Sequence, residues 1–174
     1  MMKSTMRLLL LLGLVLEVLV IGHCLVFISY PIAIDGVETS VLNHSLFYRE
    51  GISPYVTVPN DLPWLNGIYG PLYEFLWSLF SLSPPFHYLP GRLLSLLSFL
   101  GLQVITGLYI WEKTRSISAT FLAPVLLASV KPFFWFCSVA RVDMFGVFLG
   151  ALGFWLMVTP FSNRRNFQNL CGFI

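Results

Sequence analysis

Charged residues are scarce in this chain. Asp, Glu, Lys and Arg make up 10 % of its 174 residues, whereas hydrophobic residues make up 57 %. Because soluble domains carry roughly 25 % charged residues, this composition excludes an ordinary water-exposed surface. The net charge of +2 is small, and no basic cluster is interleaved with aromatic residues. Nucleic-acid binding is therefore not expected.

Cysteines are also few. The three cysteines, Cys24, Cys137 and Cys171, have no C-x-x-C or other metal-binding spacing. Cys24 and Cys137 lie in apolar runs, where cysteine usually packs as a small hydrophobic residue. The sequence therefore predicts neither a disulfide framework nor a metal site.

Long apolar segments are abundant. A helix needs about 20 mainly apolar residues to cross the hydrocarbon core of a bilayer. Four segments meet or approach this length, and the predicted transmembrane helices cover residues 8–30, 91–112, 117–140 and 143–161. The expected fold class is an all-α membrane protein, with a single transmembrane domain over residues 1–174.

The first apolar segment has an alternative interpretation as a signal peptide. Lys3 and Arg7 precede a leucine-rich run, as in the positively charged start of such peptides. The apolar run over 8–28 is longer than the roughly 7–15 residues of a signal-peptide core, and no small-x-small cleavage pattern follows it. We therefore expect a retained first helix.

The distribution of Lys and Arg predicts the orientation, because cytoplasmic loops are enriched in these residues. If the chain crosses the membrane four times, both termini and the short 111–116 loop lie on the cytoplasmic side. The basic residues on that side are then Lys3, Arg7, Lys113, Arg115, Arg164 and Arg165. The opposite side holds six acids, namely Asp35, Glu38, Glu50, Asp61, Glu74 and Asp143. The predicted localisation is an integral, multi-pass membrane protein.

One long outer segment, residues 35–88, separates the first two predicted spans. Its first part, DGVETSVLNHSLFYREG, predicts an amphipathic helix that ends at Gly51. The expected apolar face consists of Val37, Val41, Leu42 and Leu46, with Glu38, Asn43 and Glu50 largely off that face. A second short helix over 71–82 contains Glu74 and is too short to span the membrane. Both are predicted to be juxtamembrane helices.

Asp35 and Glu38 allow two interpretations. Asp at a helix N-cap with Glu three residues later is a capping box, which alone explains both residues. A carboxylate at a membrane interface could instead act as a general base. The spacing does not decide between them.

Aromatic and basic residues in the outer segment are equally ambiguous. Aromatic side chains suit the headgroup level of a bilayer, but they also line sugar-binding sites. The aromatic residues of this segment that could do either are Trp64, Tyr69, Tyr73 and Trp77. Arginines at a lipid interface extend towards phosphate headgroups, yet guanidinium groups also bind phosphate in a bidentate manner. The outer arginines are Arg49, Arg92 and Arg141, and Arg141 could simply pair with Asp143.

Three ionisable residues fall inside predicted spans: Glu17, His23 and Lys131. Ionisable groups at depth usually face a bundle interior or a water-filled cavity. Lys131 precedes Pro132, where a kink is expected, and could pair with Glu17.

The order of short motifs resembles the N-terminal half of the GT-C membrane glycosyltransferases of the family 39-like group, which includes protein O-mannosyltransferases and bacterial aminoarabinose and mannosyl transferases. The resemblance covers roughly residues 8–158. The motifs are DGVE (35–38), EGISPY (50–55), YGPLYEF (69–75), GRLLSLL (91–97) and ARVDMFG (140–146).

This resemblance implies roles for particular residues. Asp35 corresponds to the first-loop acid that acts as catalytic base or orients the acceptor. Glu38 lies near the second acid, although the family commonly has adjacent Asp and Glu, whereas Gly36 and Val37 intervene here. The residues implied in binding substrate or phosphate at the outer cavity are Arg92, Arg141, Asp143, Tyr69 and Tyr73.

The resemblance also implies the reaction. The donor would be a polyprenyl-phosphate sugar, the acceptor a protein, lipid or glycan, and the resemblance implies no metal or other cofactor. On family grounds a plasma membrane is favoured over the endoplasmic reticulum. Such enzymes usually have eight or more spans, so a fragment of a larger enzyme is expected. The alternative is a non-catalytic membrane scaffold or lipid-binding subunit.

Overall fold

The computed structural model describes residues 2–53, 70–80 and 86–159, and within them every regular element is a helix. The predicted all-helical class is therefore confirmed. The helices are α1 (Met2–Ile28), α2 (Gly36–Arg49), α3 (Pro71–Ser78), α4 (Leu89–Thr114), α5 (Ile117–Ser129), α6 (Lys131–Phe136) and α7 (Val142–Val158).

Two of these helices are long and apolar enough to cross a membrane. They are α1, over Met6–Ile28, and α4, over Leu89–Thr114. Helices α5 and α7 are apolar but shorter, with 13 and 17 residues. Of the four predicted spans, the first two therefore have helices of sufficient length, and the other two do not by this measure.

The predicted span over 117–140 is not one continuous helix. It divides at Val130, whose φ of −81° and ψ of 118° are extended, into α5 and α6. Pro132 follows in the first turn of α6, where its missing N–H is tolerated, whereas inside a continuous helix its ring would clash with the preceding turn. Residues 117–140 therefore include two helices, and the break between them lies beside Pro132, where a kink was expected.

The long helices form a bundle in which α4 packs antiparallel to α5 and parallel to α7, and α1 packs parallel to α5. One end of this bundle, here named the polar end, gathers the C-termini of α1 and α6 and the N-termini of α4 and α7. At the opposite end, Thr159 Oγ1 donates a hydrogen bond to Glu112 Oε2 over 3.1 Å. All of the candidate site residues that the structure describes lie at the polar end.

Helix α1 combines an exposed apolar surface with specific contacts to the bundle. Most apolar side chains of α1 are exposed, and Leu19 and Val26 are 64 % and 71 % exposed. A continuous apolar surface of this kind is unfavourable in water. Gln103 Nε2 on α4 donates to both carboxylate oxygens of Glu17 over 2.9 and 3.0 Å. Glu17 thus pairs with Gln103, and the suggested pairing with Lys131 was wrong.

The two juxtamembrane helices pack against each other at the polar end. Helix α2 ends where predicted, because Gly51 adopts a φ of 74° that favours glycine. Val41 and Leu42 are buried as expected, but Leu46 is 37 % exposed and Glu38 is 0 % exposed. The predicted position of Glu38 off the buried face was therefore wrong.

The start of α4 approaches its neighbours closely at Gly91. A Cβ atom there would lie 2.8 Å from Ala140 Cβ and 2.8 Å from the Trp77 ring. Glycine is therefore required for α4 to contact α3 and the segment that precedes α7.

Candidate functional site

The centre of the polar end is a fully buried ion pair between Glu38 on α2 and Arg92 on α4. Arg92 Nε donates to Glu38 Oε1 and Arg92 Nη2 to Glu38 Oε2, each over 2.9 Å. Both side chains are 0 % exposed. The carboxylate also accepts from the backbone N–H groups of Ala140 and Ile34, each over 2.6 Å.

The remaining N–H groups of Arg92 cap the end of α1 and the segment that follows it. Nη1 donates to Phe27 O over 2.8 Å and to Tyr30 O over 2.6 Å, and Nη2 donates to Ile32 O over 2.8 Å. An arginine side chain has five N–H donors, so all five are occupied by protein acceptors. Binding of a phosphate by Arg92 would require some of these contacts to break.

This ion pair joins four parts of the chain. It connects the end of α1, the start of α2, the start of α4 and the turn before α7, because each contributes a side chain or a backbone group. The contacts of Glu38 and Arg92 favour a structural role for both residues over the predicted catalytic and phosphate-binding roles. The pair holds the surrounding residues in place.

A second, partly exposed cluster lies beside this pair and consists of Asp35, Arg141 and Asp143. Arg141 Nη1 donates to Asp35 Oδ2 over 3.2 Å, and Arg141 Nε donates to Asp143 Oδ2 over 2.8 Å. The side chains are 20 %, 19 % and 33 % exposed, respectively. The Arg141 guanidinium also lies 4.6 Å from the centroid of the Phe136 ring. Three of the residues implied by the family resemblance are therefore brought together, and their formal charges sum to minus one.

The predicted capping box is only partly formed. Asp35 Oδ1 accepts from the N–H groups of Val37 and Glu38 over 2.9 and 3.0 Å, as an N-cap should. Glu38, however, accepts from Ile34 N and Ala140 N instead of the Asp35 N–H that a capping box requires. Helix capping therefore uses only one of the two carboxylate oxygens of Asp35. The other oxygen, Oδ2, is available to accept a hydrogen bond from Arg141.

Tyr73 and Trp77 are core residues, with 0 % and 1 % exposure. The Tyr73 hydroxyl donates to Gly91 O over 2.8 Å and lies 3.0 Å from Ser95 Oγ. Burial raises the pKa of Tyr73 well above its usual value, so its hydroxyl stays protonated. Both rings therefore pack in the core of the polar end, and their position at headgroup level stays a prediction. Tyr69 and Trp64 lie outside the described residues.

A buried pair that the sequence analysis did not predict joins α2 to α3. His44 Nδ1 lies 2.7 Å from Glu74 Oε1, with side-chain exposures of 4 % and 0 %. His44 Nε2 is buried and has no hydrogen-bond partner among the described residues. The presence of Glu74 in an apolar eight-residue helix was a signal of a buried partner, but the sequence does not identify that partner.

An apolar groove of about 580 Å³ runs between α3 and α4. Its lining includes residues in the first turns of α4 that precede and follow Arg92 in the sequence. Its lining residues are Leu76, Trp77, Leu79, Phe80, Leu89, Pro90, Leu93, Leu94 and Leu97. A groove with this lining suits an alkyl or isoprenoid chain.

Metal binding has no support in the part of the chain that the structure describes, because no three His, Cys, Asp or Glu side chains there are grouped to hold an ion. Comparisons of the chain with family models, with curated proteins and with solved structures found no match.

Proposed function

We propose that this chain is a membrane glycosyltransferase, or a truncated relative of one, that transfers a sugar from a polyprenyl-phosphate donor at the non-cytoplasmic face. In this proposal α1, α4, α5 with α6, and α7 cross the membrane, and the polar end faces away from the cytoplasm. The single observation that carries the proposal is the convergence of Asp35, Arg141 and Asp143, which lie up to 108 positions apart in the sequence.

The chemistry requires a base that removes the proton of the acceptor hydroxyl as the sugar is transferred. Asp35 is the best candidate among the described acids of the outer segment, because its carboxylate is partly exposed and positioned by the α2 N-terminus and by Arg141. Glu38 is unsuited to this role because both its oxygens are occupied in the core. Asp143 holds the other side of the Arg141 guanidinium and so orients it towards Asp35.

The apolar groove supports a lipid-linked donor. It lies beside the first turn of α4, and Trp77 contributes both to the groove and to the packing around Gly91. We propose that the isoprenoid chain of the donor lies along this groove. Its phosphate would then lie near the polar end, where the Asp35–Arg141–Asp143 cluster is also found.

The test replaces Asp35 with Asn. Asparagine is as good an N-cap as aspartate, so D35N keeps α2 but removes the base. Membrane vesicles that contain the chain are supplied with radiolabelled polyprenyl-phosphate sugars, and the release of polyprenyl phosphate is measured. Because general-base catalysis contributes about 10² to 10⁴-fold, we expect D35N to lose about that factor. The matched control is E50Q, at the exposed C-cap of the same helix, which should keep wild-type turnover.

The alternative function is a membrane scaffold or lipid-binding subunit without chemistry. The extensive internal bonding of Arg92 and the complete burial of Tyr73 favour it, because both residues stabilise the bundle instead of facing a cavity. No turnover by the wild-type chain with any donor, combined with binding of the donor lipid, would support this alternative. Equal turnover by D35N and wild type would remove Asp35 from the catalytic role.

A further inference from the structure

Two cysteines that are far apart in the sequence meet at the polar end. Cys24 Sγ on α1 lies 2.9 Å from Cys137 Sγ, which directly follows α6, across a sequence separation of 113 residues. The two residues are 1 % and 0 % exposed. Because a disulfide bond is about 2.05 Å long, the two sulfurs would need to approach by less than about 1 Å to bond.

The surroundings of the two thiols are apolar. Val20, Leu96, Phe99 and Met144 belong to the same buried cluster. Cys137 Sγ also contacts Phe134 O over 3.1 Å. Neither thiol belongs to a group that could hold a metal ion among the described residues, so a shared metal does not account for their close approach.

The position of the pair in the bundle gives it a structural role. Phe27, three residues after Cys24, accepts from Arg92, and Ala140, three residues after Cys137, donates to Glu38. The thiols therefore lie on the same two chain segments that the buried ion pair joins. A covalent bond there would connect α1 directly to the end of α6.

We propose that Cys24 and Cys137 form a disulfide bond in the mature protein. In the orientation proposed above, the polar end faces the oxidising side of the membrane, where structural disulfides form. The two thiols lose two protons, and their two electrons pass to the disulfide of a thiol–disulfide oxidoreductase, which is reduced to a dithiol. A mixed disulfide between the oxidoreductase and one cysteine is the intermediate, and attack by the second thiolate releases the enzyme. Exchange precedes final packing, because the folded bundle buries both sulfurs.

The test counts reactive thiols in the full chain. Cells producing the protein are lysed in denaturant that contains N-ethylmaleimide, with and without prior reduction, and the purified chain is weighed by intact-mass spectrometry. With three cysteines in the sequence, the disulfide leaves one reactive thiol before reduction and three after it. The unreduced peptide map should contain Cys24 joined to Cys137, and reduction should lower the Tm of the protein in detergent.

Variants that lack one cysteine of the pair provide the matched controls. Without reductant, Cys24→Ala and Cys137→Ala should each carry two maleimides, and because labelling is done in denaturant this count does not depend on folding. Three maleimides on the unreduced wild-type chain, or a disulfide that includes Cys171, would overturn the proposal. The sugar-transfer assay with D35N measures Asp35 separately, so a failure here leaves the proposed function testable.

Discussion

The most constrained residues in the described part of the chain are Glu38 and Arg92. Besides each other, they satisfy five backbone groups: the N–H groups of Ile34 and Ala140 and the carbonyls of Phe27, Tyr30 and Ile32. Buried ion pairs are often replaceable by apolar residues of similar size. This pair differs, because its replacement leaves those backbone groups without partners.

We expect Arg92→Met to lower the free energy of unfolding by about 3–5 kcal/mol, because it leaves the Glu38 carboxylate buried and unpaired. The double variant E38L/R92M should remain destabilised, since each backbone group left unsatisfied costs about 1–3 kcal/mol. Denaturation of the purified protein in detergent measures both. Arg49→Met, at an exposed arginine in the last turn of α2, is the control and should change stability by less than about 1 kcal/mol. A double variant as stable as wild type would contradict this account.

For other residues, the sequence predicted the kind of interaction correctly but did not predict every partner. The sequence identified Asp35 as an N-cap, which it is, and proposed that Arg141 pairs with Asp143, which it does. Nothing in the spacing indicated that Arg141 also contacts Asp35 over a separation of 106 residues. Local pairs follow from local sequence, whereas this contact exists only because the start of α2 lies beside the segment that precedes α7.

At the scale of helices, the contact between α3, α4 and the turn before α7 depends on the absence of a side chain at Gly91. A Cβ atom at this position would lie 2.8 Å from both Trp77 and Ala140, which leaves no room for a methyl group. The Tyr73 hydroxyl bonds to the carbonyl of the same glycine, so displacement of α4 would also lengthen that hydrogen bond.

Gly91→Ala should therefore destabilise the protein by about 1–3 kcal/mol, the usual range for overpacking. Gly150→Ala in α7, where a Cβ would meet nothing within 4 Å, is the matched control. It should be neutral or stabilise by up to about 1 kcal/mol, because alanine favours the helix. Both are measured as shifts in the unfolding transition in detergent, and equal stability of the two variants would refute the steric argument.

A second feature at the scale of helices is the division of the predicted third span into α5 and α6. Pro132 was visible in the sequence and a kink there was expected, but the apolar run was interpreted as one helix. Hydropathy registers the polarity of a segment and not the dihedral angles of Val130, which place α6 as a separate short helix. The turn that follows α6 contributes the Ala140 N–H to Glu38 and carries Cys137, so the break helps to form the polar end.

At the scale of the whole molecule, successive long helices run in opposite directions, and this brings alternate helix ends together. The ends of α1 and α6 and the starts of α4 and α7 share the polar end, as expected for successive crossings in opposite directions. The other end carries Lys113 and Arg115, the basic residues from which the cytoplasmic location of this end is proposed.

Labelling of introduced cysteines tests this orientation in a chain that carries Cys171→Ser and keeps the buried Cys24 and Cys137. Asn43→Cys introduces an exposed thiol on α2, and Arg115→Cys introduces one in the α4–α5 turn. A membrane-impermeant maleimide should label Asn43→Cys in intact cells and Arg115→Cys only after permeabilisation. The native Cys24 and Cys137 are buried and should not react in the folded protein. Labelling of Arg115→Cys alone in intact cells would contradict the proposed orientation and, with it, the glycosyltransferase proposal.

The sequence by itself determined the features that depend on neighbouring residues. Its apolar runs predicted an all-helical chain with α1 and α4 long enough to span, and Asp35 and Gly51 marked the two ends of α2, because caps and glycine turns act within one helical turn. Only the tertiary structure decided which polar residues are buried together. Glu38 with Arg92, His44 with Glu74 and Cys24 with Cys137 are separated by 54, 30 and 113 residues. Such pairs form only when the helices pack, and a helical pattern in one segment does not reveal which side chain of another segment will face it.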